Sequence, residues 1–304
     1  MRVLVLGGTG FLGRHIRDAF RAAGHDAVPL SRSTDPAVDL SGPKGCARLA
    51  GLVAESGAQV VVNAAGRAWR ASDEEMTRAN AELVARVSEE LSALPRAPRL
   101  VHLGSVHEYG PGTPGTSTAE DRPARPVTPY GRSKLLGTRH VLHASRSAGL
   151  DGTVLRVANV SGPGTPPGSL LRTVADHLVE AARVRARGGT ADPLRFGRLD
   201  ARRDFVDARD VADAVLAAAC APSADVAGRI FNIGRGEAVP VRRLVGRLVA
   251  LSGLAVPVFE DGDPDSPRPA AEWQRLDISR ARRVLNWQPA RDLDTSLKDL
   301  LEAA

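Results

Sequence analysis

Tyr130 and Lys134 stand four residues apart in Tyr130-Gly-Arg-Ser-Lys134, the spacing that puts two side chains on one face of a helix. A phenol handles protons poorly near neutral pH unless something stabilises its phenolate, and an ammonium one turn away is suited to that task. Composition sharpens the point. Of 41 basic residues only Lys44, Lys134 and Lys298 are lysine, and Tyr109 and Tyr130 are the only tyrosines. Where this chain keeps a lysine beside a tyrosine, an arginine fork would not do the same work. Ser105 lies at the carboxyl end of the strand expected at 99–104, and a hydroxyl there can hydrogen-bond a carbonyl or alkoxide oxygen. The three side chains form a proton-handling set.

Gly7, Gly10 and Gly13 punctuate Gly7-Gly-Thr-Gly-Phe-Leu-Gly13, after the β-branched run 2–6 and before Leu12, Ile16 and Phe20 at helical spacing. A tight turn, a backbone close to a pyrophosphate and a helix N-terminus facing it all ask for glycine. This predicts dinucleotide binding by the loop, including Thr9, Phe11 and Leu12. The second strand closes with Leu30-Ser31-Arg32-Ser33, where a carboxylate would be needed to grip a free ribose 2′-hydroxyl. Its absence, with Arg32 between Ser31 and Ser33, predicts NADP(H) over NAD(H). Lys134 is then also placed to hold the nicotinamide ribose.

These groups must be carried by elements that alternate. Strands are expected at 2–7, 27–31, 59–63, 99–104 and 153–158, with helices through 74–92 and 129–147, the strands too apolar to face water. The fold class is therefore α/β: a Rossmann-type doubly wound parallel sheet whose strand carboxyl ends gather the ligands. From about 160 the texture turns to glycine, proline and arginine, while 207–220 and 229–234 read as a helix and strand returning to the first sheet. The expected division is interleaved, with 1–158 and 204–235 binding the dinucleotide and 159–203 and 236–304 forming a smaller substrate-binding domain. The 304 residues allow a large core, and Cys46 and Cys220 make no disulfide framework, which fits a reducing cytoplasm. No apolar run is long enough for a membrane span or a signal-peptide core. The net charge of +6 is spread along the chain and suits small anionic ligands; with no aromatic-basic platform, a nucleic-acid partner is not expected.

The order of motifs resembles one family. Gly7-Gly-Thr-Gly-Phe-Leu-Gly13, Asn63-Ala-Ala65, Gly104-Ser105 with Tyr109-Gly110, Tyr130-xxx-Lys134, Arg156-Val-Ala-Asn159 and Arg203-Asp-Phe-Val-Asp207, then Phe231-Asn-Ile-Gly234 and Leu285-Asn-Trp287, follow one another as in the extended short-chain dehydrogenase/reductases that act on nucleotide sugars. The resemblance covers essentially the whole chain. It implies cofactor contacts from Asp39 and Leu40 beside the adenine and from Ala64, Ala65 and Gly66 near the diphosphate or ribose, with Asn80 in support. It implies sugar-nucleotide contacts from Ser105, Val106, His107, Asn159, Arg203 and Arg268, the two arginines on the diphosphate. Val106-His107 stands where the related 4,6-dehydratases carry an Asp-Glu pair, so dehydration is not expected. The stretches 105–110 and 155–160 look most like TDP-4-keto-6-deoxyhexose 4-ketoreductases, enzymes of deoxysugar biosynthesis for glycosylated natural products. The expected reaction is NADPH-dependent reduction of the C4 ketone of a TDP-sugar. The runner-up is an epimerase like UDP-galactose 4-epimerase, holding NAD permanently.

Other readings are weaker. Non-catalytic relatives that sense dinucleotides usually lose the tyrosine or lysine kept here. His140 and His143 share a helix face with no carboxylate or cysteine set nearby, so no metal is expected, and Gly104-Ser-Val-His107 lacks the second glycine of a nucleophile elbow. Tyr109 is read as a loop anchor, and Trp69 as either pocket lining or packing. A homodimer through the helix bearing Tyr130 is suggested by resemblance alone.

Overall fold

A computed structural model describes residues 1–34, 37–40, 42–68, 71–261 and 273–304. The amino-terminal part runs β1 (Arg2–Leu6), α1 (Phe11–Ala22), β2 (Asp26–Leu30), α2 (Pro43–Ser56), β3 (Val60–Asn63), α3 (Asp73–Thr77), a π-turn (Arg78–Glu82), α4 (Leu83–Ser92), β4 (Arg99–Ser105), α5 (Pro129–Ala148) and β5 (Gly152–Val157). The remainder is β6 (Asn159–Ser161), α6 (Leu170–Ala186), β7 (Leu194–Phe196), β8 (Arg202–Arg203), β9 (Phe205–Asp207), α7 (Ala208–Cys220), α8 (Ser223–Val226), β10 (Ile230–Ile233), β11 (Val239–Pro240), α9 (Val241–Leu251), β12 (Val258–Glu260), α10 (Ser279–Leu285) and α11 (Leu293–Glu302).

Six strands form one parallel sheet in the order β10-β5-β4-β3-β1-β2. Alternate side chains serve opposite faces: Val3 and Val5 join a core with α1 and α7, while Leu4 and Leu6 join another with α2, α4 and α5. Both faces being covered is why these strands are apolar throughout. Strand order reverses between β1 and β3, the place where doubly wound sheets open a crevice at their carboxyl ends. Leu6 is level there with both Leu30 and Asn63, so the residues that follow all three strands emerge at one edge. Pro29 is accommodated because β2 lies at the sheet edge.

The smaller part has its own core, built from α6, α9 and α11. Outside the main sheet, short pairings link neighbouring segments: β6 with β9, β8 with β11, and single bridges from Thr118 to Leu276 and from Arg202 to Trp273. Asp204 is fully buried between them and accepts backbone N–H bonds from Arg235 (2.8 Å), Gly236 (3.0 Å) and Leu276 (3.0 Å).

Candidate active site

The glycine loop has the shape a pyrophosphate needs. Gly7 adopts φ +71°, and a Cβ on it would come within 3.0 Å of the Ala65 backbone. At Gly13 a Cβ would lie 2.1 Å from the Gly7 carbonyl oxygen, so any side chain would push α1 off the loop. Gly8 plays a similar part against Pro29, 2.6 Å from a built Cβ, and was not distinguished in the sequence. At Gly10, by contrast, a Cβ would meet only the Gly7 oxygen, at 3.1 Å. Gly10 is the N-cap of α1 with no side-chain capping bond and no acid in the first turn. The first amides of the helix therefore face a cradle kept clear of side chains, and the residues present fit a dinucleotide. Thr9 is exposed on its rim, Phe11 packs edge-on against His15, and Leu12 leans on the core.

Beside it, the end of β2 forms a hydroxyl-lined turn. The Ser31 amide donates to Thr34 Oγ1 (2.8 Å) and the Ser33 amide to Ser31 Oγ (3.2 Å), with Arg32 exposed. Val38 N–H bonds the Ser31 carbonyl at 2.8 Å, bringing the segment of Asp39 and Leu40 back to this turn. On the other side Ala64 N–H bonds the Leu6 carbonyl (3.1 Å) and Ala65 N–H bonds Asn63 Oδ1 (3.1 Å). Asn80, in the π-turn, clamps Arg67 at both backbone groups (3.0 and 2.8 Å) and donates to Ser133 of α5 (3.1 Å). Gly66 leaves 2.7 Å between a built Cβ and Asn80 Oδ1, and 3.7 Å to Lys134 Nζ.

Helix α5 begins at Pro129 because Thr128 caps it, accepting from Gly131 N–H at 3.1 Å, and proline suits the first helical position. That start fixes Tyr130 and Lys134 over the end of β4. Tyr130 is half-buried; burial pushes its phenol up to about 12, Ser105 pulls it down and the Glu108 carboxylate pushes it up again. Burial brings Lys134 down to about 8, opposed by Glu108. Its Nζ donates to the Leu103 carbonyl at 2.6 Å. One of the ammonium's three N–H groups is thus committed to the Leu103 carbonyl, at the end of the strand that carries Ser105.

Ser105 rests on a buried platform absent from the sequence reading. Glu108, fully buried, accepts from Ser105 N–H (2.8 Å) and from Arg156 Nε (2.7 Å), and the guanidinium lies 4.3 Å from the Tyr109 ring centroid. The signal was present as Ser105-xx-Glu108, a capping-box pattern, and both halves of the box form. Gly104 is required beneath it, since a Cβ would fall 2.5 Å from Glu108 Oε1. Tyr109 anchors this loop by donating to Asn232 Oδ1 at 2.8 Å.

Three of the residues expected at the substrate converge. The His107 ring lies edge-on to Tyr130 with centroids 5.8 Å apart and is brought down to about 4 by burial and by neighbouring Arg203, opposed by Asn159. It is neutral near pH 7. Arg203 is partly buried and its Nε has no partner among the described residues. Asn159 directs both N–H groups inward, to the Asp204 carbonyl (2.9 Å) and Gln274 Oε1 (2.7 Å), so it braces the pocket more than it faces it. Val106 departs from expectation: its side chain is packed in the core, 3% exposed, leaving only its backbone near the site. Arg268 and Trp69 lie outside the described residues. No cluster able to hold a metal ion occurs among the described residues, nor is any helix among them long and apolar enough to cross a membrane.

The parallel sheet, the glycine cradle and the Ser-Tyr-Lys group at the strand ends define a nicotinamide-dinucleotide-dependent enzyme of the doubly wound class. The chain belongs to the NAD dependent epimerase/dehydratase family, whose model matches residues 3–234. It is 42% identical to a dTDP-6-deoxy-L-talose 4-dehydrogenase (NAD(P)(+)) of Kitasatospora kifunensis over 99% of this chain and 95% of the relative. It is 31% identical to a UDP-glucose 4-epimerase of Mycolicibacterium smegmatis over 95% of this chain and 94% of that one. Among solved structures, RMD from Pseudomonas aeruginosa complexed with NADPH superposes with TM-score 0.85 at 22% identity, covering 100% of this chain and 98% of the other, a likeness of fold.

Proposed function

We propose that the protein is an NADPH-dependent 4-ketoreductase acting on a TDP-4-keto-6-deoxyhexose. The observation that carries the reading is the placement of Tyr130 in the first turn of α5 beside Ser105 at the end of β4, at the mouth of the dinucleotide crevice. When bound, the reduced dinucleotide supplies hydride to the carbonyl carbon. Ser105 orients the ketone oxygen by hydrogen bonding, Tyr130 delivers its proton to that oxygen, and Lys134 holds the ribose and keeps positive charge beside the site. Arg203 supplies a guanidinium for the substrate diphosphate.

The 42% identical relative named as a 4-dehydrogenase supports the position acted on, because oxidation of a C4 alcohol is this reduction run backwards. A neutral His107 and a core-packed Val106 supply no acid pair for dehydration. NADPH is favoured over NADH by the hydroxyl-lined turn with Arg32 and by the absence of a carboxylate in 30–33. The test mixes purified protein with NADPH or NADH and an enzymatically prepared panel of TDP-4-keto-6-deoxyhexoses, following cofactor absorbance and then the product by NMR. Consumption of NADPH with a C4 alcohol as product is expected. Isomerisation of a UDP-hexose without added cofactor would replace this reading by the epimerase.

A further inference from the structure

Gln274 is 2% exposed, and its Nε2 has no hydrogen-bond partner among the described residues. The amide orientation is fixed by its neighbour. Asn159 must present Nδ2 to the Asp204 carbonyl, and the same Nδ2 faces Gln274 at 2.7 Å, so the Gln274 atom opposite must be the acceptor oxygen. The two N–H groups of Gln274 are therefore left over in a buried place. Its backbone is held as well, with Gln274 N–H on the Arg202 carbonyl at 2.9 Å.

The location is not arbitrary. Neighbours lead from the site to this amide: the His107 ring lies against Tyr130, and Asn159, two residues past the Val157 that is level with Ser105, bonds Gln274. Arg203, next along the chain from Arg202, adds a second buried donor without an acceptor at its Nε. Buried donors are nearly always paired. Two unpaired donors beside a neutral histidine ask for a ligand rich in acceptor oxygens.

Resting on the proposed function, we infer that Gln274 is a substrate-recognition residue, donating from Nε2 to an acceptor oxygen of the bound sugar nucleotide while its Oε1 holds Asn159 in place. The acceptor is a diphosphate oxygen or an oxygen of the keto-sugar, chemistry that the same donor serves.

The test compares wild type with Gln274→Glu, which keeps an acceptor for Asn159 and replaces the donor with a carboxylate oxygen. Steady-state kinetics with the TDP-4-keto sugar should show KM raised roughly tenfold to a hundredfold, the effect expected when a ligand acceptor loses its donor and meets a negative charge. The kcat should stay within about threefold and NADPH affinity should be unchanged, a split of KM from kcat that a merely structural role would not produce. Calorimetric titration with TDP alone separates the two oxygens: weakened TDP binding assigns the bond to the diphosphate, and unaltered TDP binding with raised KM assigns it to the sugar. Wild-type KM in Q274E overturns the inference while leaving the functional reading in place. Wild type that neither binds TDP nor reduces any keto sugar overturns that reading and the inference with it. Should Q274E not fold, Gln274→Met reads the same loss of the donor in KM.

Discussion

In the proposed reduction the phenol of Tyr130 is the proton donor. With its pKa at about 12, it stays protonated across the working range, which suits reduction, where the ketone oxygen must receive a proton. Tyr130→Phe should bind NADPH normally, as followed by fluorescence titration, and lose on the order of 100-fold or more in kcat. Normal turnover by that variant would remove the phenol from the mechanism. Lys134 is expected to set the pH dependence of the proposed reaction. Its pKa is lowered to about 8 by burial, so the ammonium is present below pH 8 and lost above it. The kcat/KM for reduction should accordingly be flat toward acid and fall above about pH 8, and His107, near 4, should add no limb around pH 6. A third residue acts indirectly. Removing the Glu108 charge leaves Arg156 buried without its counter-ion, so Glu108→Gln should lower stability in urea denaturation by about 3–5 kcal/mol. It should also slow turnover by loosening Ser105.

At the scale of elements, the site is an agreement among three chain segments about where to begin and end. Capping by Thr128 starts α5 one residue before Tyr130; the glycine loop starts α1 with its amides uncovered; the π-turn brings Asn80 across to α5 and the loop after β3. A π-turn is often found where a helix serves a site, because the extra residue redirects a side chain. The tightest of these fits is Gly13. Its replacement by Ala would set a methyl 2.1 Å from the Gly7 carbonyl oxygen, forcing α1 away from the loop. Gly13→Ala should reduce NADPH affinity at least tenfold in a fluorescence titration, with a lowered melting temperature, since the pyrophosphate contacts depend on that close approach.

Across the whole molecule, the smaller lobe reaches the chemistry through a few polar junctions. Asp204 is the main one: three backbone amides from two other segments end on its carboxylate, and its own carbonyl receives Asn159. Asp204→Ala would leave those amides buried and unpaired, at a cost of roughly 3 kcal/mol or more. Urea denaturation should show that loss, and TDP binding should fall more than NADPH binding because the displaced segments carry Arg203 and Gln274. Equal loss of both ligands would mean that Asp204 stabilises the fold without shaping the substrate pocket in particular.

Much of this was written in the sequence because it depends on neighbours along the chain. Strand periodicity, the glycine spacing and the i, i+4 pair Tyr130 and Lys134 are local patterns, and local geometry turns them directly into a parallel sheet, a cradle and two side chains on one helical face. Helix boundaries near Pro129 and Asp207 were legible from capping and turn residues for the same reason. Other features depended on contacts between distant residues. Glu108 meets Arg156 across 48 positions, Gln274 meets Asn159 across 115, and Lys134 chooses the Leu103 carbonyl 31 positions away. No spacing rule encodes such meetings, because they are set by how packed elements place one side chain against another. The sequence by itself determined which chemical groups were available and the fold that would gather them; only the tertiary structure decided which hydroxyl leans on the phenol, which charges are buried together, and which amide is left with a hydrogen to give.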